Sequence, residues 1–198
     1  MLNHETGAVV GQVVSVGAPH SILGLCWLNR NPGRFIGGCD NGSIQMYDVN
    51  TMRATYQRTH APTTRIRQTA SSASRDPAVF TYDDFEQLTS LHVNCEDDVF
   101  LASGYSNDVG LYDVQSGRRI QTFPSLHREH INVLKFAHHS PHIFATSSFD
   151  RDLKLWDMRQ QVSAKGAVYS VKSRNPNVML CFSPDDHLLL SSAVDNEV

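Results

Sequence analysis

The side chains best suited to chemistry in this chain are histidines that crowd its second half. They are His127, His130, His138, His139 and His142. Neutral imidazole is a common zinc ligand, so this group first suggests a metal site. A tetrahedral site needs paired cysteines or carboxylates to complete it, and none accompanies these histidines at ligand spacing. We therefore predict that the chain holds neither a metal nor a cofactor.

The sequence also lacks the motifs that indicate a catalytic site. It contains no glycine-rich phosphate loop, no nucleophile elbow and no recognisable pair of nucleophile and base. We expect that the chain is not an enzyme and has no small-molecule substrate. The alternative is that it is an accessory part of a larger enzyme, whose catalytic domain lies outside this sequence.

The net charge indicates which classes of partner to expect, and the cysteine pattern indicates the cellular compartment. The formal net charge is -3, which argues against a dominant basic face for nucleic acid or an acidic membrane. The four cysteines lie singly in apolar stretches without CxxC spacing, so we interpret them as free, buried thiols in a reducing compartment. No apolar run reaches the length of a membrane span, and residues 1–7 do not resemble a signal peptide. We expect a protein of the nucleus or cytoplasm whose partners are other proteins.

The elements that must position these side chains are short β-strands. Runs rich in Val, Ile, Leu, Phe and Tyr alternate with Asn, Asp, Gly and Ser turns, and no long segment repeats at a helical period. Three runs end in an aromatic residue followed by aspartate: Ser43–Asp48, Val109–Asp113 and Leu153–Asp157. Tyr112 and Trp156 are 44 residues apart, and Asp150 and Asp195, in equivalent turns, are 45 apart. This pattern predicts an all-β repeat fold.

The segment from His130 to Arg159 resembles a full repeat of the WD40, or transducin-like, family, because it ends in that family's Trp-Asp dipeptide. The resemblance implies a β-propeller in which each repeat supplies four antiparallel strands. It also implies a hydrogen-bonded network of His130, Ser148 (or Thr146 on the same strand face), Asp150 and Trp156. A buried indole and imidazole both need partners, and a turn carboxylate accepts from side chain and backbone alike, so this network would hold the blade rigid.

The other repeats depart from the family pattern. Tyr47 and Tyr112 stand where the family has tryptophan. Asn41 and Ser106 stand where it has the turn aspartate. We expect these blades to be tied together less rigidly.

The repeat register divides the chain into segments. They are the outer strand of a preceding blade at 1–20, a blade at 21–57, an inserted polar, basic loop at 58–77, blades at 78–126 and 127–172, and a truncated blade at 173–198. The insertion explains why Tyr47 and Tyr112 are 65 residues apart, about 20 more than the usual repeat period. It is rich in Arg, Ser and Thr, which leaves a plain disordered loop and a phosphorylated regulatory loop as alternatives.

The predicted propeller is incomplete. About three full blades plus two partial ones are fewer than a closed ring needs, so strand edges and apolar blade faces would stay open. We expect the chain to be part of a longer protein or a truncated gene model. By itself we expect it to be poorly soluble or to self-associate.

The tract Phe144–Arg159 resembles the docking box of WD-repeat substrate receptors that bind the DDB adaptor of cullin-4 RING ubiquitin ligases. That box has two apolar residues, three small ones, an acid, then alternating apolar residues and Trp-Asp-x-Arg, and only Ala145 departs from it. The resemblance implies that Asp157 and Arg159 contact the adaptor through charge-assisted, forked hydrogen bonds. Asn50 and Gln115 stand at the Arg159 position in the other repeats.

Two aromatic residues, Tyr105 and Phe149, precede the turn between the second and third strands of their repeats, on the family's usual binding surface. Exposed aromatics at such a rim are hot-spot candidates, although either ring can instead pack against a neighbouring loop. We predict a non-enzymatic protein-interaction scaffold that serves as a cullin-4 substrate receptor. Because most of the docking box is what any good repeat requires, the alternative is a scaffold in a chromatin or RNA-processing complex.

Overall fold

The computed structural model describes residues 3–9, 21–52 and 78–194. In this part of the chain almost all regular structure is β-strand, apart from helical residues 49–52. The strands form four antiparallel sheets, three with four strands and one with two. The predicted fold class, an all-β, partial propeller, is confirmed. Most of the predicted outer-strand segment at 1–20, namely residues 1–2 and 10–20, and the turn residue Asp195 lie outside the described residues.

The sheets follow one another along the chain, and within each sheet neighbouring strands are consecutive in sequence. The first sheet consists of β1 (Ile22–Trp27), β2 (Arg34–Cys39), β3 (Ile44–Asp48) and β4 (Ala78–Thr81). The second consists of β5 (Leu88–Val93), β6 (Val99–Gly104), β7 (Val109–Asp113) and β8 (Arg119–Phe123). The third consists of β9 (Ile131–Phe136), β10 (Ile143–Ser148), β11 (Asp152–Asp157) and β12 (Tyr169–Lys172). The fourth consists of β13 (Asn177–Phe182) and β14 (Leu189–Ala193).

One segment boundary differs from the sequence prediction. Strand β4 pairs with β3, with Thr81 opposite Gln45 and Phe80 opposite Met46. Residues 78–81 therefore complete the first sheet instead of opening the second, which begins at Leu88. The predicted insertion at 58–77 thus falls between the third and fourth strands of one sheet. A strand at this position satisfies the backbone groups on the outer edge of β3.

The apolar core lies in the gaps between successive sheets. One cluster, which includes Ile36, Leu88 and Phe100, fills the space between the first and second sheets. Another, which includes Leu101, Ile131 and Phe144, fills the space between the second and third. Small residues allow this close approach: a Cβ atom on Gly38 would lie 2.8 Å from the side chains of both Leu88 and Leu91. Apolar packing therefore joins the first three sheets in series.

Polar contacts also join the sheets, through their inner strands. The backbone N–H of Phe136 on β9 donates to Nδ1 of His92 on β5, at 3.2 Å. Burial, together with the positive charges of Lys135 and His138, lowers the pKa of His92 to about 3. The ring is therefore neutral at physiological pH, as it must be to accept this hydrogen bond.

Turn carboxylates provide a second kind of link between sheets. Asp97, between β5 and β6, accepts hydrogen bonds from the backbone N–H groups of Asn29 and Arg30, at 2.7 and 2.6 Å. Asp186, between β13 and β14, accepts from His138 and His139 in the same manner, at 2.8 and 2.7 Å. Each aspartate thus ties its own sheet to a turn of the preceding one.

Candidate partner-binding surfaces of the third sheet

A buried chain of hydrogen bonds crosses the third sheet. The indole Nε1 of Trp156 donates to Oγ1 of Thr146 at 2.9 Å. The same hydroxyl lies 2.7 Å from Nε2 of His127, and Nδ1 of that ring lies 3.1 Å from both carboxylate oxygens of Asp150. The ionised carboxylate of Asp150 can only accept, so Nδ1 of His127 donates to it, and Nε2 of the neutral ring accepts the threonine proton. The four side chains therefore form one continuous relay.

The carboxylate of Asp150 also holds the backbone of its surroundings. It accepts hydrogen bonds from the N–H groups of Arg128 and Asp152, both at 2.9 Å. Burial alone would raise the pKa of Asp150, but these two bonds and the nearby His127 outweigh burial and lower it. Burial lowers the pKa of His127 in spite of the adjacent carboxylate. Asp150 is therefore ionised and His127 neutral in the folded protein.

This network differs from the predicted one in two members. Its histidine is His127, three residues before the predicted His130, and its hydroxyl belongs to Thr146, the alternative named beside Ser148. The hydroxyl of Ser148 instead donates to the carbonyl oxygens of Glu129 and His130, at 3.1 and 2.9 Å. It also accepts from the backbone N–H of Asp150 at 3.1 Å. Ser148 therefore shapes the turn rather than the relay.

The ring of His130 lies at the rim, between the two aromatic residues predicted to bind partners. Its centroid is 4.3 Å from that of Phe149 and 5.2 Å from that of Tyr105. Both aromatic side chains are exposed even though each contacts His130. Tyr105 also borders an open cleft of about 440 Å³ that Asp40, Asn41 and Gln87 complete. The structure thus joins turns of the second and third sheets in one continuous aromatic surface, Tyr105–His130–Phe149, which we call the aromatic rim.

Asp157 and Arg159 lie at the end of β11. The guanidinium of Arg159 is forked on the carboxylate, with Nε 2.9 Å from Oδ1 and Nη2 2.7 Å from Oδ2 of Asp157. This pairing and the backbone N–H of Arg159 lower the pKa of Asp157 to about 2. The aspartate side chain is buried, whereas 64% of the arginine side chain remains exposed. The arginine is therefore held in one orientation while its charge stays accessible.

The corresponding aspartates of the other two complete sheets are paired differently. Asp48 accepts from the backbone N–H of Asn50 and, at 3.3 Å, from Nε of Arg34 on the neighbouring strand. Asp113 accepts from the backbone N–H of Ser116. Within the described residues, the forked pair is a feature of the third sheet.

Metal-ligand geometry is not found in the part of the chain that the structure describes, where no group of three or more His, Cys, Asp and Glu side chains converges. His139 contacts the carbonyl oxygen of Pro184 through Nε2, at 2.9 Å. The free cysteines depart from the predicted burial, since Cys181 is exposed and Cys26, Cys39 and Cys95 are only partly buried. Over the same residues, no helix has the length and apolar character of a membrane span.

Comparisons with known proteins extend these observations. The family model described as "WD domain, G-beta repeat" matches residues 117–157. The Arabidopsis thaliana protein DWD HYPERSENSITIVE TO UV-B 1 is 50% identical over 198 residues, which is 100% of this chain and 23% of that protein. DNA damage-binding protein 2 of Mus musculus is 39% identical over 56 residues, 28% of this chain and 13% of that protein. The chain spans less than a quarter of either relative.

Proposed function

We propose that this chain, in which residues 117–157 match the WD40-repeat model and the strands form part of a β-propeller, is a non-enzymatic scaffold that works as a substrate receptor of a cullin-4 RING ubiquitin ligase. In this role the third repeat binds the DDB adaptor through the exposed guanidinium of Arg159, which the buried Asp157 holds in place, and the aromatic rim binds the target. The two relatives, one with DWD in its name and the other named as a DNA damage-binding protein, support the link to such receptors. The scaffold would act in the nucleus or cytoplasm.

The observation that carries this proposal is the forked pair of Asp157 and Arg159. An isolated surface ion pair contributes little to stability, so fold stability does not explain why an exposed arginine is held by two hydrogen bonds. A side chain already held in one orientation loses less conformational entropy when a partner binds, which makes the pair a suitable contact residue. The guanidinium matches a carboxylate or a carbonyl cluster on the adaptor.

Replacing Arg159 with alanine should weaken binding to the purified DDB adaptor by about 10-fold or more, the effect expected of a hot-spot arginine. Arg159→Lys should restore only part of the affinity, because an ammonium group keeps the charge but cannot form the fork. Isothermal titration calorimetry measures both effects. Arg118→Ala is the matched control, since Arg118 is also exposed and directly precedes β8 of the neighbouring sheet. This variant should bind with unchanged affinity.

Equal affinity of the Arg159→Ala and Arg118→Ala variants would exclude Arg159 from the adaptor contact. If the unmodified protein does not bind the adaptor at all, the chain belongs to another assembly, such as a chromatin or RNA-processing complex. Affinity capture from cell extract would then identify partners without the adaptor among them.

The aromatic rim makes a separate prediction about the target. Tyr105 and Phe149 together should account for much of the target affinity, because exposed aromatic rings are typical hot spots. A double Tyr105→Ala, Phe149→Ala variant should therefore lose captured targets but still bind the adaptor with full affinity. Ile120→Ala is the control, because Ile120 is exposed on β8 away from this rim. Undiminished recovery of every target by a folded double variant would show that another surface is used.

A further inference from the structure

The turn between β10 and β11 places an arginine in a backbone conformation that favours glycine. Arg151 has a φ of 73°, in the left-handed region that residues other than glycine, asparagine and aspartate rarely adopt. Gly42 holds the same place in the first sheet, with a φ of 91°. The backbone N–H of each residue donates to the carbonyl three residues earlier, that of Cys39 for Gly42 and that of Ser148 for Arg151. Glycine can therefore form this turn, so the turn itself does not require an arginine side chain.

The backbone of Arg151 is fixed by hydrogen bonds, whereas its side chain is exposed. Its carbonyl oxygen accepts from the backbone N–H of Ser173 at 2.8 Å and from Nδ2 of Asn177 at 3.3 Å. Among the residues that the structure describes, no carboxylate lies within ion-pair distance of the guanidinium. Strained backbone that surrounding contacts maintain is found most often at binding and catalytic sites. Arg151 thus presents an accessible positive charge from a fixed backbone.

A second arginine lies near the same end of the aromatic rim. Phe149 belongs to the same turn as Arg151, and Arg128 lies on the connection into β9. The guanidinium of Arg128 is 3.6 Å from the carboxylate of Asp152, yet 73% of the arginine side chain is exposed. The two aspartates that flank Arg151 in the sequence are buried. The exposed charged side chains closest in sequence to the Phe149 turn are therefore two arginines and one glutamate, Glu129.

We propose that the Phe149 end of the aromatic rim binds an acidic segment of the target protein, whose carboxylates contact Arg151 and Arg128 while an apolar side chain packs on the ring. This preference depends on the proposed role of the rim as the target surface and adds the chemistry of the segment. A guanidinium forms charge-assisted hydrogen bonds with a carboxylate, and an exposed ring supplies apolar contact area. Nucleic acid fits the rim less well, because Asp40 lines the cleft beside Tyr105 and would repel a phosphate backbone.

Fluorescence polarisation with two labelled peptides tests the charge preference. Both peptides contain leucine and phenylalanine at alternate positions, and the positions between them carry glutamate in one peptide and lysine in the other. The unmodified protein should bind the glutamate peptide more tightly. Arg151→Gly should weaken this binding by about 5-fold, the effect of losing one exposed ion pair. Arg151→Lys keeps the charge and should retain most of the affinity.

Arg118→Ala is the control for a general loss of positive charge. Arg118 is exposed and directly precedes β8, at the end of the second sheet opposite to the turn that carries Tyr105. This variant should bind the glutamate peptide with unchanged affinity. An equal loss of affinity in Arg118→Ala and Arg151→Gly would show that the peptide responds only to net charge, which would overturn the assignment to Arg151.

Urea unfolding separates a binding role of Arg151 from a structural one. Because glycine adopts the conformation of residue 151 without strain, Arg151→Gly should unfold at the same urea concentration as the unmodified protein or at a higher one. Weaker peptide binding by a variant that is no less stable supports a binding role. A lower unfolding midpoint would mean that the arginine stabilises the turn, and a binding role would no longer be needed to explain it.

Equal affinity of the unmodified protein for the two peptides would overturn the acidic preference. Tighter binding of a single-stranded DNA oligonucleotide than of the glutamate peptide would overturn the choice of a protein segment. Titration with the DDB adaptor distinguishes these failures from failure of the proposed function, since Arg151→Gly should bind the adaptor with unchanged affinity. If the unmodified protein binds the adaptor but does not distinguish the peptides, the receptor role is retained and the acidic preference is wrong.

Discussion

Replacing Asp150 with alanine should lower the free energy of unfolding by about 3 kcal/mol or more, since a buried donor left without its acceptor costs about 1 to 3 kcal/mol. Asp150 accepts from three donors: the imidazole of His127 and the backbone N–H groups of Arg128 and Asp152. The variant leaves all three without this acceptor. Urea unfolding at neutral pH, followed by circular dichroism, measures the loss.

Asn41→Ala is the matched control. Asn41 occupies the same turn position in the first sheet, where its exposed side chain accepts from the backbone N–H and hydroxyl of Ser43. Water can replace this acceptor, so the change should cost about 1 kcal/mol or less. If both variants lose equal stability, the buried relay contributes nothing beyond an ordinary turn.

The same relay should make the protein less stable in acid. Burial lowers the pKa of His127 below the value of about 6.5 expected in the unfolded chain. Between these two pKa values the unfolded state binds more protons, so the stability of the fold falls as pH drops below about 6.5. Asp150, whose pKa is lowered as well, adds a further loss only below about pH 4. His127→Gln should therefore unfold with a shallower pH dependence between pH 7 and 5 than the unmodified protein.

The sequence predicts which repeat carries the hydrogen-bond relay. It does not predict every residue that takes part in it. The turn before β11 identifies Asp150, and the Trp-Asp dipeptide identifies Trp156. Two histidines precede β9, however, and spacing alone does not distinguish His127 from His130. The choice depends on how the chain approaches β9: Leu126 is fully buried beside His127, whereas His130 lies at the rim between two exposed rings. An apolar residue directly before the histidine was the available signal.

The sequence also does not determine where the first sheet ends. The 65-residue separation of Tyr47 and Tyr112 revealed the insertion, but a period does not say between which two strands it falls. Residues 78–81 are as suitable for the last strand of one sheet as for the beginning of the next. Pairing with the free edge of β3 decides the question, and that pairing is not local in sequence.

The hydrogen bonds by which Asp97 and Asp186 join neighbouring sheets were not predicted from the sequence. Asp97 and Asp186 both have positive φ, at 61° and 60°, in turns between the first two strands of their sheets. Aspartate tolerates this conformation, so each residue looks like an ordinary turn former. Their contacts with Asn29 and His138 join residues far apart in sequence. Recognising them requires the sheets to be already packed.

Replacing Gly42 with alanine should lower the free energy of unfolding by about 3 kcal/mol, for two reasons that add. Gly42 has a φ of 91°, a conformation that L side chains rarely adopt. A Cβ atom there would also lie within the radius of the backbone carbonyl oxygen of Phe85, at 1.9 Å. The backbone of Phe85 cannot readily retreat, because its N–H donates to the carbonyl of Gly42 at 2.9 Å and its ring is buried between the sheets.

Gly33→Ala provides the matched comparison, because Gly33 lies in the preceding turn of the same sheet with ordinary φ. Its nearest contact for an added Cβ is the side-chain oxygen of Asn31 at 3.5 Å, which is a normal van der Waals distance. This change should alter stability by about 0.5 kcal/mol at most. Urea unfolding of the two variants beside the unmodified protein measures the difference. If the two variants unfold at the same urea concentration, the contact with Phe85 does not support the turn between β2 and β3. In that case this contact does not hold the cleft beside Tyr105 in place either.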